Sequence, residues 1–449
     1  MIEVLDDGDV RLLNGDCIEV MRALPAESVD AVVTDPPYGL EFMGREWDAP
    51  WKGTASAHIA HERRAAETTD ENKRRYIRAA VNAYEAGRPF QEWCQAWAEQ
   101  ALRVLKPGGH LIAFGGTRTF HRLTCGLEDA GFEIRDCLSW LYGSGFPKSL
   151  DVSKAIDKAA GAEREVGVPG PYAARRPREV VKATNAYADG VGDAGSALVT
   201  APATDAARQW AGWGTALKPG WEPAVLARKP LSGTVAHNVQ THGTGALNID
   251  GCRIGHDGGT RRDGKADRPN DAGWENMRGH GIAQLDAGRW PANVVLDEDA
   301  ARMLDDQAGE ASYNPAGVFG HGKNAGTIYG GGEGIPPNPT GVYGYGDRGG
   351  PSRFFYTAKA STTERNHGGA TNDHPTVKPV ALMRWCVRLV TRPGALVLDP
   401  FAGSGTTGLA TRAEGRRALL VEQSPDYCQI IAQRLSQLSL LGLLDTVDG

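Results

Sequence analysis

Two short runs in this sequence combine residue types suited to chemistry, and each closes an apolar stretch. The first is Asp35-Pro36-Pro37-Tyr38, which follows Ala31-Val32-Val33-Thr34. Two prolines stiffen the backbone and remove two N–H donors. What remains is a group of acceptors, the Asp35 carboxylate and the nearby carbonyls, beside the flat face of Tyr38. Acceptors next to an aromatic face suit a planar ring that bears an amino group. A plain Pro-Pro turn is the competing explanation for the same four residues. The second run is Asp399-Pro400-Phe401-Ala402-Gly403-Ser404-Gly405-Thr406-Thr407, after the apolar Ala395–Leu398. Here a strand ends in an acid and a glycine-rich turn opens a helix. Glycines let a ligand come close to the backbone, and a helix N-terminus offers free N–H groups. Glu422, at the end of the next apolar run, stands where an acid accepts hydrogen bonds from both hydroxyls of a ribose.

Taken alone, the second run leaves alternatives open. Gly403, Gly405 and Gly408 satisfy G-x-G-x-x-G, so a nicotinamide dinucleotide site and a tight strand–helix turn both fit. No Gly-Lys-Ser/Thr follows, which excludes a P-loop. The histidines are scattered without paired ligand spacing, so no metal site is expected. The seven cysteines stand singly, with no C-x-x-C pair, and fit reduced thiols in a cytoplasm better than a disulfide framework. No Pro-Cys dipeptide occurs. The acidic, polar start MIEVLDDGDV lacks the form of a signal peptide, and no run of about 18 apolar residues suggests a membrane span. A net charge of −6 does not advertise a nucleic-acid partner, but phosphate is met by local patches rather than by the total.

The elements that must position these residues fall into two blocks. Strands are predicted near Val10–Leu13, Ala31–Thr34, His110–Phe114, Glu133–Leu141, Glu222–Arg228, Ala395–Leu398 and Ala418–Val421. Helices are predicted at Cys17–Leu24, Phe90–Leu105, His121–Ala130, Pro379–Val390 and Tyr427–Leu435, with a charged surface helix at His58–Arg78. The turn Lys106-Pro107-Gly108-Gly109 is expected to close the second of these. Between Tyr142 and about Tyr356 periodicity fades. Glycine makes up 58 of 449 residues, well above ordinary usage, and Asn314–Gly350 is its densest stretch. The C-terminal block has too few strands for a covered sheet, so one sheet built from both ends of the chain is the economical reading.

Together the two runs resemble the DNA amino-methyltransferases. Asp35–Tyr38 is similar to their catalytic motif and Asp399–Gly405 to their cofactor loop, in the order of the permuted beta class. Asn14-Gly15-Asp16-Cys17 resembles the acidic strand end that meets the cofactor adenine. His374-Pro375-Thr376-Val377-Lys378-Pro379 resembles the segment that holds the methionine carboxylate. Ser139-Trp140-Leu141-Tyr142 and Trp221-Glu222-Pro223 fall where later strands of the catalytic half lie. The resemblance covers roughly residues 10–150, 220–230 and 353–435.

It implies a doubly wound α/β fold, a mostly parallel, seven-stranded Rossmann-like sheet with a long irregular insert. Residues 1–143 would form the catalytic half, 144–352 a target-recognition insert with one core strand near 222–228, and 353–449 the cofactor-binding half. The implied activity is methyl transfer from S-adenosylmethionine to N6 of adenine in DNA, since aspartate at the position of Asp35 goes more often with adenine. N4 of cytosine is the near alternative; an oxidoreductase and a catalytically silent DNA-binding protein are the distant ones. Catalytic roles fall to Asp35, Pro36, Pro37 and Tyr38. Cofactor contacts fall to Asp16, Cys17, His374, Thr376, Lys378, Asp399, Pro400, Phe401, Ala402, Gly403, Ser404, Gly405, Thr406 and Glu422. The expected partner is double-stranded DNA, with no membrane, a homodimer as an option and a cytoplasmic setting. In the insert, Lys148, Lys154, Lys158, Arg175, Arg176, Arg178, Arg261 and Arg262 are candidates for phosphate contact. Trp210, Trp213, Trp221, Trp274 and Trp290 are expected to pack small cores.

Overall fold

The computed structural model describes residues 2–39, 87–145, 149–169, 198–254, 289–309, 350–358 and 377–438. The charged segment His58–Arg78, residues 314–349 of the glycine-rich stretch, Lys148, Arg175, Arg176, Arg178, Arg261, Arg262, Trp274, His374 and Thr376 lie outside them.

Period-two burial explains the central strands. In β3 (Val29–Thr34) all six residues are buried, and from Ala31 to Val33 they alternate between two cores. Val29 and Val32 join one cluster with Trp97, Ala101 and Leu127; Ala31 and Val33 join another with Leu382, Trp385 and Val387. In β11 (Leu396–Asp399) Leu398 faces the first cluster and Val397 the second. A strand covered on both faces reads as a continuous apolar run, as these do. Helices Gly87–Val104 and Phe120–Asp129 cover one face, and Val380–Val390 covers the other.

The remaining strands are β1 (Ile2–Asp6), β2 (Val10–Asn14), β4 (Leu105–Phe114), β5 (Glu133–Leu141), β8 (Trp221–Arg228), β9 (Val294–Asp297), β10 (Tyr356–Ala358) and β12 (Arg417–Glu422). They form one ten-stranded sheet in the order β1-β2-β12-β11-β3-β4-β8-β5-β9-β10. β2, β12, β11, β3 and β4 are mutually parallel. β8 runs antiparallel to both β4 and β5, and β1 is antiparallel to β2. The chain leaves β3 toward β4 on one side and leaves β11 toward β12 on the other, so the switch point lies between β3 and β11.

Three features depart from the sequence reading. The sheet has ten strands rather than seven, because short β1, β9 and β10 extend its edges; each is too short to show a period. Lys106–Gly109 is not a closing turn. β4 starts at Leu105 directly after the helix, and the extra residues are absorbed in a register shift between Val29 and Ala31, with Gly108 at φ +74°. Nor do Trp210, Trp213 and Trp290 pack small cores: they are 41, 60 and 65 % exposed. Trp210 and Trp213 meet edge to face, and Trp290 lies under the Arg253 guanidinium. Trp221 does pack, edge-on against Phe120.

Residues 142–220 form a separate compact unit. Its helix Val152–Ala159 is N-capped by Asp151, and buried Asp157 accepts from Arg164 and from the Ala203 and Thr204 amides. Its described residues also form a two-stranded ribbon, β6 (Val166–Pro169) with β7 (Leu198–Thr200), and a short helix, Asp205–Gln209. Among the described residues no helix is long and apolar enough to cross a membrane.

Candidate active site

Parallel strands bring their carboxyl ends to one rim. Along it stand Asp16 after β2, Glu422 closing β12, Asp399 closing β11, and Asp35 after β3. β8 reaches the same rim from the opposite direction. Its register pairs Ala224 with Phe114, the last residue of β4, so Glu222 lies just beyond the end of β4.

At the β3 end, Asp35 is bound through both oxygens. Oδ1 accepts from the Tyr38 hydroxyl at 2.8 Å, and Oδ2 accepts from Lys378 Nζ at 2.7 Å. Lys378 Nζ lies equally close to Glu222 Oε1, 2.7 Å, and 2.9 Å from the Tyr38 oxygen. The Tyr38 hydroxyl also hydrogen-bonds Glu222. The Lys378 ammonium stands over the rings of Phe114 and Tyr38, at 5.1 and 5.3 Å from their centroids. Its side chain is only 6 % exposed. Burial works against that charge, but Asp35 and Glu222 more than offset it and hold the lysine pKa above its ordinary value. Burial, then the two carboxylates, pushes the Tyr38 hydroxyl well above the usual tyrosine range, so it is a donor. Thr119 Oγ1 donates to the Tyr38 carbonyl at 2.5 Å and fixes the end of the motif.

The β11 and β12 ends are built differently. Asp399 Oδ1 accepts from Thr34 Oγ1 at 2.6 Å and from the Phe401 amide at 3.0 Å, while Oδ2 accepts from Thr407 Oγ1 at 2.5 Å. Burial raises its pKa to about 6 despite these donors. Glu422 accepts from the amides of Gly403 and Ser424, each at 2.8 Å. Burial, opposed by those amides and reinforced by Asp399, raises its pKa to about 7. Gly403 and Gly405 have φ of +54° and +83°, the left-handed region where a Cβ is strained. A Cβ on Gly405 would also stand 2.9 Å from Ile431, and one on Gly408 2.8 Å from Leu420. Two of the three glycines of G-x-G-x-x-G therefore serve close packing.

The N-terminus of helix Thr406–Ala413 carries no side-chain cap. Free N–H groups there suit an anionic group, and acceptors on Glu422 and Asp16 suit hydroxyls and an amine. These residues fit a ligand with a nucleoside at one end and a carboxylate at the other.

The structure gathers Asp35, Pro36, Pro37, Tyr38 and Lys378 at one part of the rim, and Asp399 to Thr406 with Glu422 at the other. Phe401 is turned onto Trp93 and Trp97, and Ser404 is buried beneath Arg434. Asp16 caps helix Cys17–Ala23 by accepting from the Ile18 and Glu19 amides, and Cys17 is buried. Sequence reasoning missed Glu222, Thr34 and Thr407 as site residues. Thr34 is the last residue of an apolar run, a signal that was readable. Glu222 carried none, since its place depends on the direction of β8.

A family model for DNA methylases matches residues 29–159 and 293–433, more than half of the chain. Type II methyltransferase M.HindIII of Haemophilus influenzae is 24 % identical over 432 residues, 94 % of each chain. Type II methyltransferase M.XycI of Xanthomonas campestris pv. cyanopsidis is 35 % identical over 97 residues, 18 % of this chain and 32 % of its own. Among solved structures, the cytosine-N4-specific PvuII DNA methyltransferase aligns over 96 % of this chain and 88 % of its own, with 13 % identity and a TM-score of 0.44.

Proposed function

This chain belongs to the DNA methylase family, and from that membership we propose that it transfers a methyl group from S-adenosylmethionine to the exocyclic N6 amine of adenine in double-stranded DNA. The observation that carries this reading is the Thr34–Asp399 hydrogen bond. It ties the last residue of β3 to the last of β11 and sets the acceptor motif beside the glycine turn.

A base inside a duplex is out of reach, so the target is flipped out. The Tyr38 ring, fixed at its hydroxyl and at its carbonyl, offers its face to the base. Asp35 and the Pro36 carbonyl accept hydrogen bonds from the amine and draw its lone pair out of ring conjugation. S-adenosylmethionine, when bound, supplies an electrophilic methyl group. Glu422 would accept from its ribose hydroxyls, Asp16 would stand at its adenine, and the glycine turn with the uncapped helix would meet its carboxylate. Positioning and electrostatics supply most of the catalysis. Residues 1–143 and 353–449 act as the two halves of the transfer domain, and 144–352 as the target-recognition insert.

Both exocyclic amines need the same acceptors, so the test must name the base. The chain is expressed in a methylation-deficient bacterium and the nucleosides of its DNA are separated by mass. N6-methyladenine is expected. N4-methylcytosine would move the assignment to cytosine, and neither product would overturn the reading.

A further inference from the structure

The Lys378 ammonium is shared by two carboxylates at 2.7 Å each, one of which, Glu222, has no part in the transfer described above. With Tyr38 neutral, the group of Asp35, Glu222, Lys378 and Tyr38 carries one surplus negative charge in a nearly closed site. Charges so placed act strongly, because little water screens them. During transfer the nitrogen lone pair forms the N–C bond, the C–S electron pair stays on sulfur, and one amine proton leaves to solvent through the acceptors. Positive charge thus grows on the nitrogen that faces Asp35. A carboxylate fully neutralised by an ammonium at 2.7 Å would do little to stabilise it.

We propose that Glu222 is a positioning residue for methyl transfer: it holds Lys378 in a shared ion pair and offsets its charge, so that Asp35 keeps a net negative potential toward the amine. Lys378 in turn stands between the two carboxylates. The inference rests on the transfer reading above and assigns that site a charge balance. Three geometric facts carry it. Glu222 is brought to the rim by the antiparallel course of β8. It bonds the Tyr38 hydroxyl as well as Lys378. Lys378 is closed off from solvent over the Phe114 and Tyr38 rings.

A charge balance makes a prediction that a packing role does not. Glu222→Gln leaves Lys378 to neutralise Asp35 alone. Lys378→Met leaves two carboxylates without a cation. The double variant Glu222→Gln/Lys378→Met returns the group to one surplus negative charge. Single-turnover transfer of labelled methyl to DNA from a methylation-deficient host is measured on the full chain at saturating S-adenosylmethionine. Glu222→Gln should be slower by about 100-fold, the low end of the range seen when one preorganised electrostatic contact is removed. The double variant should recover to within about fivefold of wild type, a coupling that only interacting groups show. Circular dichroism accompanies each variant; where Glu222→Gln does not fold, Glu222→Asp and the double variant carry the test, with Asp expected to keep most of the rate. A Glu222→Gln rate near that of wild type, or a double variant as slow as the product of the two singles, overturns the proposal while leaving the transfer reading intact. Absence of transfer by the wild type overturns both.

Discussion

The two ends of the rim hold their acids by opposite means. At the β3 end, Asp35 is paired with a buried ammonium and a phenol. At the β11 and β12 ends, the partners of Asp399 and Glu422 among the described residues are hydroxyls and backbone amides. The first arrangement sets a carboxylate against a buried ammonium. The second lets burial raise both pKa values, to about 6 and about 7, and leaves these acids to be completed by a ligand. Under the proposed transfer, the acceptor that meets the amine is charge-paired, and the acceptors that meet the cofactor are not.

The largest expected effect breaks the two ends apart. Asp35→Ala should lower transfer by at least about 10³-fold while leaving the S-adenosylmethionine Kd within about threefold, since in the proposed transfer the acid meets the amine and not the cofactor. Single-turnover kinetics and calorimetry check this, and lost cofactor binding in a folded variant would merge the two ends into one site.

Gly405→Val should come next. Its backbone is left-handed and a Cβ would meet Ile431. Strain and overpacking of this kind cost about 2–4 kcal/mol, read as a fall in Tm, with weakened cofactor binding in whatever remains folded. A folded variant with unchanged Tm and affinity would remove this turn from the site.

The Glu422 end makes a pH prediction. Its folded pKa, about 7, lies above the ordinary 4.5, so the native state holds a proton that the unfolded chain has lost. Its contribution is full below about 4.5 and is lost as pH rises through about 7. Glu422→Gln should therefore flatten the decline of Tm across that window, and parallel curves for the two proteins would contradict the assignment. The smallest effect lies in the insert. Replacing Arg175, Arg176 and Arg178 by alanine should reduce the slope of log Kd for DNA against log salt by about 2–3, without changing which base is methylated. Superimposable salt plots would place the phosphate contacts elsewhere.

Much of this rim was legible because its strands are apolar on both faces. Ala31–Thr34 and Ala395–Leu398 announce themselves as buried runs, and an acid right after such a run has nowhere to stand but a strand end. What was not legible depended on contacts between distant segments. Glu222 reaches Lys378 and Tyr38 only because β8 inserts antiparallel between β4 and β5. Lys378 was expected beside the cofactor, and its ammonium lies instead against the acceptor motif. The exposed Trp210, Trp213 and Trp290 show the limit from the other side. A tryptophan in an aperiodic stretch carries no record of whether anything closes over it.

The pairing of β3 with β11 also dictates when the protein can work. The residues joined by the Thr34–Asp399 hydrogen bond are 365 positions apart in the chain. At a synthesis rate of roughly 5–20 residues per second, β3 emerges about 20–70 s before its neighbour exists. Through that interval one edge of a strand that ends fully buried lacks its hydrogen-bonding partner, a template for pairing with other chains. The nascent polypeptide is thus at its most aggregation-prone while it is still tethered to the ribosome. Under the proposed function, transfer must therefore wait until β11 has emerged to meet β3.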